Sequence, residues 1–123
     1  MLINFTNHPS DCWPEKELTE ASRYGGVADY PFPAVSAAAA PDEVHLLARD
    51  CANALVRMRP TAVLCQGEFS LAYEVIQLLQ KQNIPVLTAC SERKTVELQN
   101  PDGTVRKESV FDFVRFREYY KNE

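Results

Sequence analysis

The stretch that decides the fold is Ala62-Val63-Leu64-Cys65-Gln66-Gly67-Glu68-Phe69-Ser70. Its first four residues are apolar, and an amphipathic helical pattern begins directly after Gln66-Gly67-Glu68. We therefore expect a buried strand, a tight turn at Gly67 and the start of a helix. Because ligands bind where strands end and helices begin in open α/β sheets, this turn is predicted to form one wall of a site.

Strand and helix patterns alternate along the chain up to residue 93. The predicted strands cover residues 2–6, 27–30, 62–65 and 85–90. The predicted helices cover residues 14–24, 41–59 and 69–82, each opened or closed by a proline, a glycine or a plausible cap residue. This alternation predicts right-handed βαβ units and a parallel sheet with the strand order 2-1-3-4.

The tail of the chain has a different pattern. Residues 94–98 and 104–108 alternate like strands around the turn sequence Asn100-Pro101-Asp102-Gly103, which predicts an antiparallel hairpin. Residues 109–116 are rich in β-forming side chains and favour a final strand over a helix. The predicted fold is therefore a small Rossmann-like three-layer α/β sandwich. We expect a single domain over residues 1–123, with βα units in 1–93 and the hairpin and final strand in 94–120.

Composition and charge narrow the classes of function. The 123 residues are 46% hydrophobic and carry a net charge of -4, which argues against a duplex-coating protein and a polybasic membrane binder. No basic stretch follows Met1 and no apolar run has the length of a membrane span, so we expect a soluble cytoplasmic protein. The four cysteines form no Cys-x-x-Cys pair and are expected to be reduced structural thiols.

Polar residues follow three of the predicted strands at the same edge of the sheet. Strand one ends at Asn7-His8-Pro9-Ser10, strand three at Gln66-Gly67-Glu68 and strand four at Ser91-Glu92-Arg93. If the strand order is 2-1-3-4, the chain leaves strands one and three in opposite directions, which opens a crevice between them. We expect the site there. Its predicted ligand-binding residues are Asn7, Ser10, Gln66, Gly67, Phe69, Ser70, Ser91 and Arg93.

Two of these strand-end residues suit proton transfer. His8 is one of only two histidines, and Glu68 precedes a helix, so both are candidate catalytic acids or bases. The alternative for His8 is a structural bond to a loop carbonyl, and for Glu68 it is a carboxylate that complements the helix dipole.

An anion would find several donors at the same edge. Gly67 lets the backbone approach a ligand, and the amides of Phe69 and Ser70 would point outward from the helix start. Arg93 could bind a phosphate through two hydrogen bonds. The alternatives are a simple turn at Gly67 and a solvated hairpin residue at Arg93. The histidines and carboxylates show no metal-ligand spacing, so we expect neither a metal nor a cofactor.

The layout resembles a known family. The start Asn4-Phe5-Thr6-Asn7-His8-Pro9-Ser10, the three βα units and the closing Phe-Val-Arg-Phe-Arg-Glu-Tyr at 113–119 are similar to small CRISPR-associated, CARF-like proteins. Some members of that group are ring nucleases. The resemblance covers most of the chain in layout and implicates Asn7, His8 and Ser10.

The resemblance implies a homodimer that binds a cyclic oligoadenylate across its two-fold axis. It also implies metal-independent cleavage, in which the ribose 2′-hydroxyl attacks the adjacent phosphorus. Aromatic residues between positions 111 and 120 would supply an apolar dimer surface. The expected ligand is a cyclic oligonucleotide or another small anion, with no membrane and no duplex nucleic acid as partner.

Other functions remain open on the sequence. A non-catalytic nucleotide sensor would use the same pocket, and an enzyme acting on a small nucleoside or sugar phosphate would suit the same fold. A protein-interaction module would instead use the final strand as a pairing edge.

Overall fold

The computed structural model describes residues 1–122 and shows a mixed α/β protein with a mostly parallel sheet. Five strands and three α-helices occur in this part of the chain. In chain order they are β1 (Leu2–Phe5), α1 (Glu15–Ser22), β2 (Val27–Asp29), α2 (Pro41–Arg57), β3 (Ala62–Cys65), α3 (Phe69–Lys81), β4 (Val86–Gln99) and β5 (Val105–Glu118). A short 3₁₀ turn, Ser10–Cys12, joins β1 to α1.

The strands form one sheet in the order β2-β1-β3-β4-β5. The first four are parallel, and β5 adds antiparallel to β4, so the full order differs from the predicted 2-1-3-4 by this fifth strand. The register of β1 and β3 pairs Phe5 with Cys65, so the two strands end side by side. This register brings the loops after β1 and β3 to the same point of the sheet edge.

Both faces of the sheet are covered, which explains the continuous apolar runs of its central strands. Ile3, Phe5 and Val63 pack on one face against the buried sides of α2 and α3. Leu2 and Leu64 point to the opposite face, where their cluster includes Trp13 and Ala21 from α1 and the segment before it, and Phe113 and Phe116 from β5.

The extent of the last two strands differs from the prediction for the tail of the chain. The hairpin arms are not separate from the neighbouring strands, because β4 runs unbroken from Val86 to Gln99 and β5 from Val105 to Glu118. The two strands pair along this length, with one irregularity between Cys90 and Ser91. The predicted turn is confirmed: the Asn100 amide donates to the Thr104 carbonyl over 2.7 Å.

The expected aromatic surface of residues 111–120 is only partly present. Phe113 and Phe116 are 2% and 7% exposed and belong to the core. They are three residues apart, and the irregularity opposite Cys90 and Ser91, where Val114 has no partner in the register, brings both to the same face of β5. Phe111 and Tyr120 are exposed. Across residues 1–122, the helices are too short or too polar for any of them to traverse a lipid bilayer.

Candidate functional site

A cavity of about 600 Å³ lies where β1 and β3 end, between the start of α1 and the hairpin of β4 and β5. Aromatic and hydrogen-bonding side chains from all of these elements line it. They are Thr6, Asn7, His8, Trp13, Pro14, Glu17, Leu64, Gln66, Gly67, Ala89, Ser91, Phe111 and Phe113.

The structure brings five of the predicted site residues together in this cavity. Asn7 and His8 come from the loop after β1, Gln66 and Gly67 from the turn after β3, and Ser91 from β4. The parallel register causes this arrangement, since the ends of β1 and β3 are level in the sheet. The other five predicted residues do not line the cavity; they are Ser10, Glu68, Phe69, Ser70 and Arg93.

A buried hydrogen-bond network fixes the loop that carries His8. The Asn4 side-chain amide, only 1% exposed, donates to the His8 carbonyl and to Asp29, each over 2.9 Å. The Thr6 hydroxyl donates to the Asn4 side-chain oxygen over 2.7 Å, and the Trp13 indole donates to the His8 carbonyl over 3.0 Å. These bonds hold the backbone of His8, and its exposed imidazole has no hydrogen-bond partner within residues 1–122.

Ser10 belongs to this network and not to the cavity. Its hydroxyl donates to the Asp29 carboxylate over 3.1 Å, and its amide reaches the same carboxylate at 3.2 Å. The bonds connect the 3₁₀ turn to the end of β2. The structure therefore gives Ser10 a role in loop positioning.

Gln66 and Gly67 have structural contacts as well as positions on the cavity wall. The Gln66 side-chain oxygen accepts from the Ala89 amide over 2.9 Å and so connects the end of β3 to β4. A Cβ atom at Gly67 would lie 2.6 Å from atoms of the Phe32 ring, which is itself buried. Close packing against Phe32 thus requires glycine at this turn.

Glu68 caps α3. Its carboxylate accepts from the amides of Ser70 and Leu71 at 2.8 and 3.0 Å and from the Ser70 hydroxyl. These bonds, that of the hydroxyl first, lower the pKa of Glu68. The predicted anion site at this helix start is already occupied by the chain's own carboxylate, and Phe69 next to it is 92% exposed.

Arg93 lies outside the cavity but next to one of its walls. It pairs across the hairpin with Phe111, and its guanidinium lies 5.4 Å from the centre of that ring. Phe111 lines the cavity while remaining 72% exposed. The Arg93 guanidinium therefore lies near the cavity, although Arg93 is not one of its lining residues.

Sequence reasoning missed Glu17, the one carboxylate among the lining residues. It is 6% exposed and has no hydrogen-bond or ion-pair partner within residues 1–122. Burial raises the pKa of Glu17 from 4.5 to about 7. A signal was present: Glu17 lies four residues from both Trp13 and Ala21, on the buried stripe of α1.

The cavity wall contains no lysine or arginine among the residues that the structure describes. The same 122 residues contain no group of three or more histidine, cysteine, aspartate or glutamate side chains placed to hold a metal ion. The chemistry available in the cavity is therefore proton transfer and hydrogen bonding by Glu17 and His8, hydrogen bonding by Asn7 and Ser91, and contact with aromatic rings.

Comparison with known proteins identifies a family. A family model described as "Uncharacterized protein MJ1673 family" matches residues 1–117. No curated protein and no solved structure matches the chain. The match covers every strand and helix described above except the last residue of β5.

Proposed function

The chain belongs to the MJ1673 family, and we propose that it binds a nucleotide in the cavity at the ends of β1 and β3. The observation that supports this proposal is the composition of the cavity wall. Three aromatic side chains, Trp13, Phe111 and Phe113, share the wall with hydrogen-bonding groups that follow the ends of β1 and β3 and with Ser91 from β4.

The size and position of the cavity fit such a ligand. Its volume of about 600 Å³ falls within the range of small-molecule sites. Planar bases stack on aromatic side chains, and a few polar groups then fix their orientation. The sheet order also supports a Rossmann-like assignment, since β1 and β3 flank the point at which the direction of the connections reverses.

We further propose, from the resemblance to CARF-like ring nucleases, that the ligand is a cyclic oligoadenylate and that it is cleaved. The ribose 2′-hydroxyl loses its proton as its oxygen attacks phosphorus, the bond from phosphorus to the 5′-oxygen breaks, and the 5′-oxygen takes up a proton. The product is linear and ends in a 2′,3′-cyclic phosphate. His8, whose backbone is fixed and whose ring lines the cavity while remaining exposed, is the group that takes up the proton of the 2′-hydroxyl, with the phosphate at the rim of the cavity.

A second copy of the chain completes the proposed site. One cavity is small for a cyclic oligonucleotide, and the exposed Phe111 beside it offers apolar surface for a two-fold partner. Light scattering during gel filtration is expected to give twice the chain mass of 13.9 kDa. A monomer at micromolar concentration would exclude this part of the proposal.

The test of function is incubation with cyclic tri-, tetra- and hexaadenylate, followed by chromatography and calorimetry. We expect one of these ligands to bind and to be converted into linear products. Binding without turnover would identify a sensor and remove the cleavage step. If none of the three binds, the proposal that the ligand is a cyclic oligoadenylate fails.

A matched pair of variants locates the activity. His8→Ala is expected to reduce turnover by about a hundredfold or more, the usual contribution of a general acid or base. His45→Ala is the control, because His45 lies on α2, is exposed, and contacts Glu74 at 2.9 Å away from the cavity. Equal turnover by the two variants would refute the role of His8.

A further inference from the structure

We propose that the cavity takes the nucleobase of the ligand, that Glu17 hydrogen-bonds the base edge, and that the phosphates remain outside. This inference rests on the proposed function and adds the orientation of the ligand. It assigns a specificity role to a residue that neither the sequence patterns nor the family match singles out.

The charge of the cavity wall supports this orientation. Within residues 1–122 the wall has one carboxylate and no lysine or arginine. A phosphate placed there would meet the ionised form of Glu17 without a lysine or arginine in the wall to compensate the two negative charges, which is unfavourable at low effective dielectric. An uncharged base avoids that cost. The nearby cation, Arg93, lies over the exposed Phe111, where a phosphate at the rim of the cavity could reach it.

Glu17 is available to a ligand. No side-chain oxygen among the described residues is both fully buried and without a partner. The carboxylate of Glu17 has no hydrogen-bond partner within residues 1–122, so each of its oxygens keeps some contact with solvent. Since the residue is only 6% exposed and lines the cavity, that contact opens into the cavity. A buried carboxyl group in this position gains from a ligand that supplies the missing hydrogen bonds.

The protonation state of Glu17 determines which base edge it matches. A protonated carboxyl group donates one hydrogen bond and accepts another. Adenine offers an amino donor beside an acceptor ring nitrogen, which pairs with this group. The ionised form has no proton to donate, so it loses the bond to the ring nitrogen. With a pKa of about 7, Glu17 holds its proton in mildly acidic solution and loses it in mildly basic solution.

The charged neighbours of Glu17 do not alter this behaviour. Within residues 1–122, His8 is the other titratable side chain of the cavity wall. Helix α1 also packs on β5, where Asp112 pairs with Lys94 at 2.9 Å. The hydrogen bond from Lys94 and its charge, followed by the charge of Lys16 on α1, lower the pKa of Asp112. Burial is the cause of the raised pKa of Glu17, without a contribution from these groups.

The test is calorimetry with adenosine, which carries no phosphate, from about pH 5.5 to about pH 8.5. For the wild type we expect the dissociation constant to rise about tenfold across this range, the equivalent of one lost hydrogen bond. Glu17→Gln keeps a donor and an acceptor at every pH, so it should bind without this pH dependence. Glu17→Leu should bind about tenfold more weakly than the wild type at the acidic end. Purine riboside, which lacks the amino group, should bind the wild type more weakly than adenosine.

The control is Glu15→Gln, a change of an exposed glutamate in the same helical turn, which should behave like the wild type. If Glu17→Gln retains the wild-type pH dependence, or Glu17→Leu binds normally, the role of Glu17 is refuted while nucleotide binding stands. If cyclic oligoadenylate binds and adenosine does not, the base is not the part held in the cavity. If neither binds, the proposed function fails together with this inference.

Discussion

Replacement of Glu17 by glutamine should make the protein more stable at basic pH and leave its stability unchanged at acidic pH. Burial raises the pKa of Glu17 from 4.5 to about 7 in the folded protein, whereas the unfolded chain exposes the carboxyl group to water. Between these two pKa values the folded state holds a proton that the unfolded state has released. The free energy of unfolding therefore falls as the pH rises through this window.

The size of the effect follows from the two pKa values. Each unit of difference corresponds to about 1.4 kcal/mol, so ionisation of Glu17 costs the folded state about 3 kcal/mol once the pH exceeds 7. The stabilisation that the proton provides is complete below pH 4.5 and is lost as the pH rises through about 7. Glutamine has the shape of the protonated side chain and never ionises, so Glu17→Gln removes this cost.

Urea denaturation of the wild type and of Glu17→Gln between about pH 5 and about pH 8.5 measures their difference in unfolding free energy. Trp13, the sole tryptophan, is 6% exposed beside the cavity and provides a fluorescence signal for unfolding. The difference in unfolding free energy between Glu17→Gln and the wild type should increase with rising pH. Glu15→Gln should show no such trend. A constant gap across the pH range would refute the account of Glu17 as a buried carboxyl group without a partner.

Two further predictions concern the turn after β3. Gly67→Ala should cost about 1–3 kcal/mol of unfolding free energy, because the new methyl group meets the Phe32 ring. Urea denaturation in a double-mutant cycle should show a smaller cost in a Phe32→Leu background, and an unchanged cost would contradict the steric explanation. Glu68→Ala should lower the thermal unfolding midpoint measured by circular dichroism, since the amides of Ser70 and Leu71 lose their acceptor. This difference should shrink in acid, where protonation of Glu68 weakens the cap of the wild type; a difference that is constant with pH would argue against capping.

Local sequence patterns were sufficient to predict the parallel part of the sheet. Strand β3 begins and ends at the predicted residues, Ala62 and Cys65, because a short apolar run between a proline and a glycine turn has few alternatives. The tail was harder to predict. The long pairing of β4 with β5 depends on contacts across the sheet, and alternation in residues 94–116 does not indicate where one strand ends and the next begins.

For the candidate site, too, the sequence predicted some features and missed those that depend on packing. Parallel topology brought Asn7, His8 and Gln66 to one cavity, as predicted from their positions at strand ends. The role of Gly67 could not be predicted, since the ring that requires it belongs to Phe32, far along the chain. Glu17 was missed because glutamate near a helix start is normally exposed, and only the packing of α1 on the sheet buries it.

The side chains that follow β1 and β3 differ in whether they have structural partners. After β3, Gln66 is bonded to the Ala89 amide, Gly67 packs on Phe32, and Glu68 caps α3, so this turn mainly supplies shape. The imidazole of His8 and the carboxyl group of Glu17 have no such partners within residues 1–122 and both line the cavity. The titratable side chains without partners among these residues therefore come from the loop after β1 and the start of α1, and a nucleotide bound as proposed would meet them there.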